Sequence, residues 1–371
     1  MSARHWGLVS LTGALVALCG CEAGYYGHLA RGQADMMLHC RPLDEVAADT
    51  SLAPETAARL DLVRQIREYA DGAIGLDVSG NYTCFYDTGT RPVCWNVSAC
   101  PPERFEAYTW SFPFLGALPY KGFFDLDRAR RERERLSAEG YDTVLRPVTA
   151  YSTLGYLSDP VLSDMLRFPP DALADLLIHE LTHATVYLRG HTDFNESLAT
   201  FVGRRGSLDL LAHLHGTDSH AVAAARSRRR DAAVFNDLLS ELVTSLDSLY
   251  SSGAPRDQVM AARDTLFAAA QTRYRSLRLT LVTPERYDGF LEWKINNARL
   301  LSYRRYNRDL ALFEQLWERQ GRDLSRLVEL VAGCDGRDDP WNCLRELGEA
   351  PAASPQAATG RPAPSPEPGE E

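Results

Sequence analysis

Apolar residues recur at helical spacing along most of the chain, and at alternating spacing only in short stretches of its first half. The pattern predicts a helix from Tyr25 to about Cys40 and a second from about Pro54 to Gly72. In the second, Leu60, Leu62, Val63, Ile66 and Tyr69 share one side. Short strands are predicted at Tyr82–Tyr86 and Val93–Val97. The aromatic, Pro- and Gly-rich stretch Trp110–Phe124 reads as a packed irregular segment. Asp125–Glu139 is a charged helix closed by Gly140, and Thr143–Thr153 a strand that Pro147 demotes to an edge. A further helix starts at Pro169, Pro170 and Asp171 and is expected to end at Gly190. After a turn at Arg189–Phe194 comes another. Two long helical stretches, Ser219–Tyr250 and Pro255–Leu277, are split by Ser251–Ala254 and read as an antiparallel hairpin inserted after them. Shorter helices are predicted near Ile295–Tyr303, Tyr306–Arg319 and Leu324–Ala332. From Glu349 onward the chain is Pro, Ala, Ser and Glu, and residues 350–371 are expected to be disordered. No internal repeat is visible. The fold class that follows is α+β, mainly helical, with one domain over residues 21–349.

The amino terminus stands outside that fold. Arg4 and His5 precede an apolar run from Trp6 to Leu18, too short to span a bilayer and laid out as a secretory signal over residues 1–20. The run ends in Leu18, Cys19, Gly20 and Cys21, which resembles a bacterial lipobox. Gly20 supplies the small residue before the cleavage point, so Cys21 is the expected lipid-bearing residue. Glu22 follows it where the enteric inner-membrane retention signal has Asp. The expected location is therefore the bacterial envelope, anchored in the outer membrane and facing the periplasm.

Export changes the meaning of the cysteines. Beyond Cys21 the chain has Cys40, Cys84, Cys94, Cys100, Cys334 and Cys343, an even number suited to disulfides in an oxidising compartment. Cys334 and Cys343 flank a turn-like stretch and are the best pair. Cys84 and Cys94 flank Asp87, Thr88 and Gly89 and are placed to face each other across a hairpin, leaving Cys40 with Cys100. No CxxC pair favours a cysteine metal site. The net charge of -10 argues against a nucleic-acid partner. The basic run Arg226–Arg230 is read as a solvated helix face. Oligomeric state is not legible.

One short stretch carries chemistry. His179 and His183 are four residues apart, which on a helix puts both imidazoles on one face, one turn apart. Glu180 lies beside them, placed to take a proton from a metal-bound water. Leu173, Leu176, Leu177, Ile178, Leu181 and Ala184 make the surrounding helix apolar, and burying two histidines and a glutamate there without a task would be costly. A catalytic zinc site needs a third protein ligand. Glu196 is favoured because a ligand on the next helix is held rigidly. Asp193, on the turn, is the rival. The three-histidine pattern HExxHxxGxxH fails, since Val186 stands in place of Gly and Arg189 in place of His.

With Tyr151–Pro160, His179–His183, Phe194–Phe201, Pro119–Phe124, Asn296–Leu300 and Tyr306 in view, the chain resembles a bacterial aminopeptidase family of gluzincin-type zinc metallopeptidases, often lipoproteins. The likeness runs from about Tyr25 to Leu330. It implies a zincin-like domain that hydrolyses peptides, one zinc ion held by His179, His183 and Glu196, and Glu180 as general base. The strand ending in Tyr151, Ser152, Thr153, Leu154 and Gly155 is the expected place for a peptide substrate to lie antiparallel. Tyr306, Tyr303 and His191 are candidates for the proton donor or oxyanion stabiliser. Asn195 is expected to orient the site or to cap its helix. The rival readings are a zinc endopeptidase and a non-catalytic, zinc-stabilised envelope scaffold.

Overall fold

A computed structural model describes residues 24–349, apart from 90, 113–115, 149–157 and 295. The signal segment, Cys21, the carboxy-terminal tail and the substrate strand Tyr151–Gly155 lie outside the described residues.

The chain begins with helix α1 (residues 24–39). Next come β1 (Arg41–Pro42), α2 (Leu43–Ala47) and α3 (Pro54–Tyr69), the last running into one π-helical turn at Ala70–Ile74. The strands are β2 (Cys84–Tyr86), β3 (Cys94–Cys100), β4 (Trp110–Phe112), β5 (Gly116–Leu118) and β6 (Lys121–Phe123). Helix α4 (Leu126–Ala138) then precedes β7 (Asp142–Val148) and β8 (Val161–Leu162). The remainder is helical: α5 (Pro170–Thr185), α6 (Thr192–His215), α7 (His220–Tyr250), α8 (Arg256–Leu277), α9 (Asn297–Tyr306), α10 (Leu310–Arg319), α11 (Leu324–Ala332) and α12 (Pro340–Glu349). The molecule is thus mainly helical with three small sheets, ordered β1-β2-β8, β6-β3-β7 and β4-β5.

The main core forms where α5 and α6 pack together and against α3, α10 and α11. Leu173, Leu177, Ile178, Leu181, Leu198 and Val202 are fully buried there. A second core closes the α7–α8 hairpin around Phe235, Leu246, Tyr274 and Phe290. No helix among the described residues is long and apolar enough to cross a membrane.

Several expectations change. Trp110–Phe124 is not irregular: it holds the β4–β5 pair and β6, which joins β3. Trp110, Phe112 and Phe123 enter one core, and Gly116 and Gly122, which mask the pattern in the sequence, lie within β5 and β6. Tyr306 closes a helix rather than opening one, because Asp309 adopts a left-handed conformation (φ 49°) that separates α9 from α10. Helix α12 was not foreseen. Pro147 does lie on an edge, since β7 pairs only with β3 in its sheet.

The disulfides also differ from the expectation. Cys334 is joined to Cys343, but Cys84 is joined to Cys40 rather than to Cys94. The reason is strand pairing. Strand β2 lies between β1 and β8, so Pro42 is opposite Cys84, while Cys94 opens a strand of a different sheet. Cys94 and Cys100 are free, buried thiols on β3, and burial pushes both up to about 12. The Cys40–Cys84 bridge spans 44 residues against 9 for the other, so it removes more chain entropy from the unfolded state. Replacing both Cys40 and Cys84 by Ser is expected to lower the unfolding free energy by about 2–4 kcal/mol, measured by urea denaturation.

Candidate metal centre

Helix α5 supplies the first two functional side chains. Pro170 opens it, Asp171 sits in its first turn, and its apolar side is fully buried. It ends at Thr185, one turn before the expected Gly190. Thr182 and Thr185 turn their hydroxyls back onto the carbonyls of Ile178 and Leu181, and Val186 is already extended. Gly190 serves instead in the turn before α6, with φ 81°.

Asn195 explains how α6 returns so tightly. Its side-chain oxygen accepts from the Leu188 amide at 2.9 Å and its amide donates to the Leu188 carbonyl at 2.8 Å. Of the two expected roles, the structure does not show the cap, since His191 stands at the cap position of α6. Asn195 is 1% exposed and clamps the connection that brings Glu196 back over α5.

The result is a compact triad. His179 Nε2 and His183 Nε2 are 3.1 Å apart, and Glu196 Oε2 lies 3.3 Å from the first and 3.5 Å from the second. His183 Nδ1 and Glu196 Oε2 are buried without a hydrogen-bond partner. Burial opposes the Glu196 charge, yet the adjacent imidazoles of His179 and His183 outweigh it and hold the carboxyl well below its usual range. At His179 burial likewise opposes the charge, but the neighbouring Glu196 carboxylate and the Glu180 charge raise its pKa. The donor set fits a zinc ion. Ligand atoms about 2.0–2.1 Å from a tetrahedral zinc lie roughly 3.3–3.4 Å from one another. The three separations bracket that spacing, and two nitrogens with one carboxylate oxygen are donors zinc accepts. Among the described residues these three are the one group placed to hold a metal ion.

The rival ligand is elsewhere. Asp193 is half exposed and faces Arg305 and Arg308, each at 3.7 Å. Tyr303 is also remote: it packs on Phe235 and Trp293 in the hairpin core, with the Arg146 guanidinium over its ring. Its place in the sequence, one turn before Tyr306, carried no information about which core it enters. His191 is the residue that begins α6 and makes no side-chain cap bond.

Tyr306 does reach the site. Its ring centroid is 6.0 Å from that of His179, and although the residue is 38% exposed, the Glu196 charge drives its hydroxyl well above the ordinary tyrosine value. Tyr120 was missed from the sequence. Burial and then the charge of Glu196 raise its pKa, and Arg305, 7% exposed, lies 5.8 Å from its ring. The one signal that pointed to it was the Pro119–Phe124 likeness, because Tyr120 is far from the helix motif in sequence. The Glu180 charge acts on His179 and on the hydroxyls of Tyr82, Tyr120 and Tyr306, so Glu180 lies near these groups. The tyrosine hydroxyls therefore stay protonated and available as donors.

The close approach of α6 to α5 depends on glycine. A methyl group on Gly203 would come 2.6 Å from Asp175 Oδ1, 2.7 Å from the Asp175 carbonyl and 3.3 Å from His179 Cβ. Gly203→Ala is expected to cost about 1–3 kcal/mol and to weaken metal binding, because the backbone must part where it positions His179 and Glu196. Thermal unfolding and zinc titration of the variant check this.

The description "Putative aminopeptidase" belongs to the family whose profile matches residues 24–339. The chain belongs to that family. Membership covers most of the sequence, including every residue of the triad, and makes peptides the expected substrate class. No curated protein and no solved structure matches the chain.

Proposed function

We propose that this member of the aminopeptidase family is a zinc-dependent aminopeptidase in which His179, His183 and Glu196 hold the metal. The observation that carries the reading is the convergence of three buried donor atoms at ligand spacing, two of them on one turn of α5 and the third brought back by α6. A zinc ion bound there would lower the pKa of a coordinated water and polarise the substrate carbonyl.

The chain's own groups account for the rest. Glu180 accepts a proton at its carboxylate and passes it to the leaving amine. Tyr306 and Tyr120, both kept protonated, donate hydrogen bonds toward the oxygen on which negative charge develops. Arg305 supplies a buried positive charge beside them. The aminopeptidase assignment rests on family membership, and the metal assignment on residue geometry. The proposal includes export, lipidation at Cys21 and a periplasm-facing position in the outer membrane, on the amino-terminal pattern alone.

A mixed peptide library incubated with the metal-loaded protein tests the activity. Stepwise loss of amino-terminal residues supports the proposal. Internal cleavage would make the protein an endopeptidase. Intact peptides from a zinc-loaded protein would make it a scaffold.

A further inference from the structure

A cavity between α6, α7 and α10 lies apart from the triad. Its volume is about 620 Å³, within the range of about 300–1,000 Å³ of small-molecule sites. Arg204 and Arg205 of α6 and Arg226, Arg229 and Arg230 of α7 line it, with Glu314 of α10 as the one acid in the lining. Phe201, Leu208 and Leu310 make the rest of its wall mostly apolar.

The run Arg226–Arg230 is therefore not simply a solvated face. Arg228 forks onto Asp171 at 2.6 and 2.8 Å and ties α7 to the start of α5. Its neighbours are less fully engaged. Arg204 makes one hydrogen bond, to Asn307 at 2.9 Å, and Arg229 one, to Ser207 at 2.8 Å. Arg226 and Arg230 are exposed and have no side-chain hydrogen bond or ion pair among the described residues. Each guanidinium offers five N–H donors, so most of the donors around the cavity are unused. Of the nearby acids, only Glu314 bonds one of the cavity arginines among the described residues. Glu314 is bonded to Arg205, and Asp231 is engaged by Val282 and Thr283. Burial raises the pKa of Asp175 and Asp209, the carboxylates behind the wall, and lowers that of Arg204 and Arg229.

We propose that this cavity binds a phosphate monoester carrying a small apolar group. Guanidinium forks match phosphate oxygens in pairs, several of them suit a dianion, and the apolar wall receives the ester substituent. The site stands independently of the peptidase reading: at about 1.5 Å rise per residue, Arg204 is roughly 12 Å along α6 from Glu196. A soluble ester and the headgroup of an anionic lipid share this chemistry.

Calorimetric titration of the full protein with inorganic phosphate and with phenyl phosphate tests the proposal, at ionic strength matched with sodium chloride. Saturable binding is expected, tighter for phenyl phosphate, and about tenfold weaker in each of Arg226→Gln and Arg230→Gln. Both positions are exposed, so these variants are expected to fold, which circular dichroism checks. Sedimentation with phosphatidylcholine vesicles containing phosphatidic acid identifies the lipid source if the protein cosediments and the same variants do not. A soluble source is indicated if phenyl phosphate binds and vesicles do not. Heats no larger than those of sodium chloride, or variants that bind as the parent does, would overturn the proposal.

Discussion

Glu180→Gln is expected to lower peptide hydrolysis by about 10²–10⁴-fold while the protein keeps its zinc. The substitution preserves shape and removes the basic oxygen. Glu180 is not among the three converging donors, whose atoms come from His179, His183 and Glu196. Its charge nevertheless acts on His179 and on the hydroxyls of Tyr120 and Tyr306, so it lies near the triad. In the proposed mechanism that carboxylate serves the proton transfer and not the metal. Steady-state kinetics on a peptide substrate, with zinc content measured on the same sample, checks the result. Loss of zinc along with activity would mean that Glu180 is a ligand or that the fold has failed. Unchanged activity would remove it from the chemistry.

The second large effect concerns the third ligand. Glu196→Gln is expected to weaken zinc binding by more than the about 10–100-fold typical of losing a partner outside the coordination sphere. Asp193→Asn is expected to leave zinc binding within about that margin. The contrast follows from position. Glu196 Oε2 is 3.3 Å and 3.5 Å from the two imidazole nitrogens, whereas Asp193 is turned toward Arg305 and Arg308. Competition against a chromogenic zinc chelator measures both variants. The reverse order would move the third ligand to the turn.

The triad was legible in the sequence because each part of its signal is local or nearly so. Helical periodicity puts His179 and His183 on one face, and Glu196 follows close enough for one turn to bring it back. What supports the triad was less legible. The Asn195 clamp depends on its partner being Leu188, which only the path of the turn decides. Gly203 reads as a weak helix residue until Asp175 and His179 are seen against it. Tyr120 and Tyr306 reach the same carboxylates from opposite ends of the chain, and no spacing rule connects them. Tyr303 and Tyr306 are one turn apart, yet the first belongs to the hairpin core and the second to the site.

The strands show the same limit. A hairpin between Cys84 and Cys94 was a fair reading of Asp87, Thr88 and Gly89, but β2 pairs with the distant β8 and the cysteine partner changes with it. The arginine run looked solvated because sequence charge says nothing of the helix packed against it. Two of its residues turn out to face a cavity from the exposed side, and two are held against α5 and α6.

The zinc site is tested most directly by anomalous diffraction at the zinc absorption edge from crystals of the protein grown with zinc and without chelator. One strong peak is expected within coordination distance of His179 Nε2, His183 Nε2 and Glu196, at about 2.0–2.2 Å from each. A protein that hydrolyses peptides with no peak there, or with its peak at another site, would contradict the assignment.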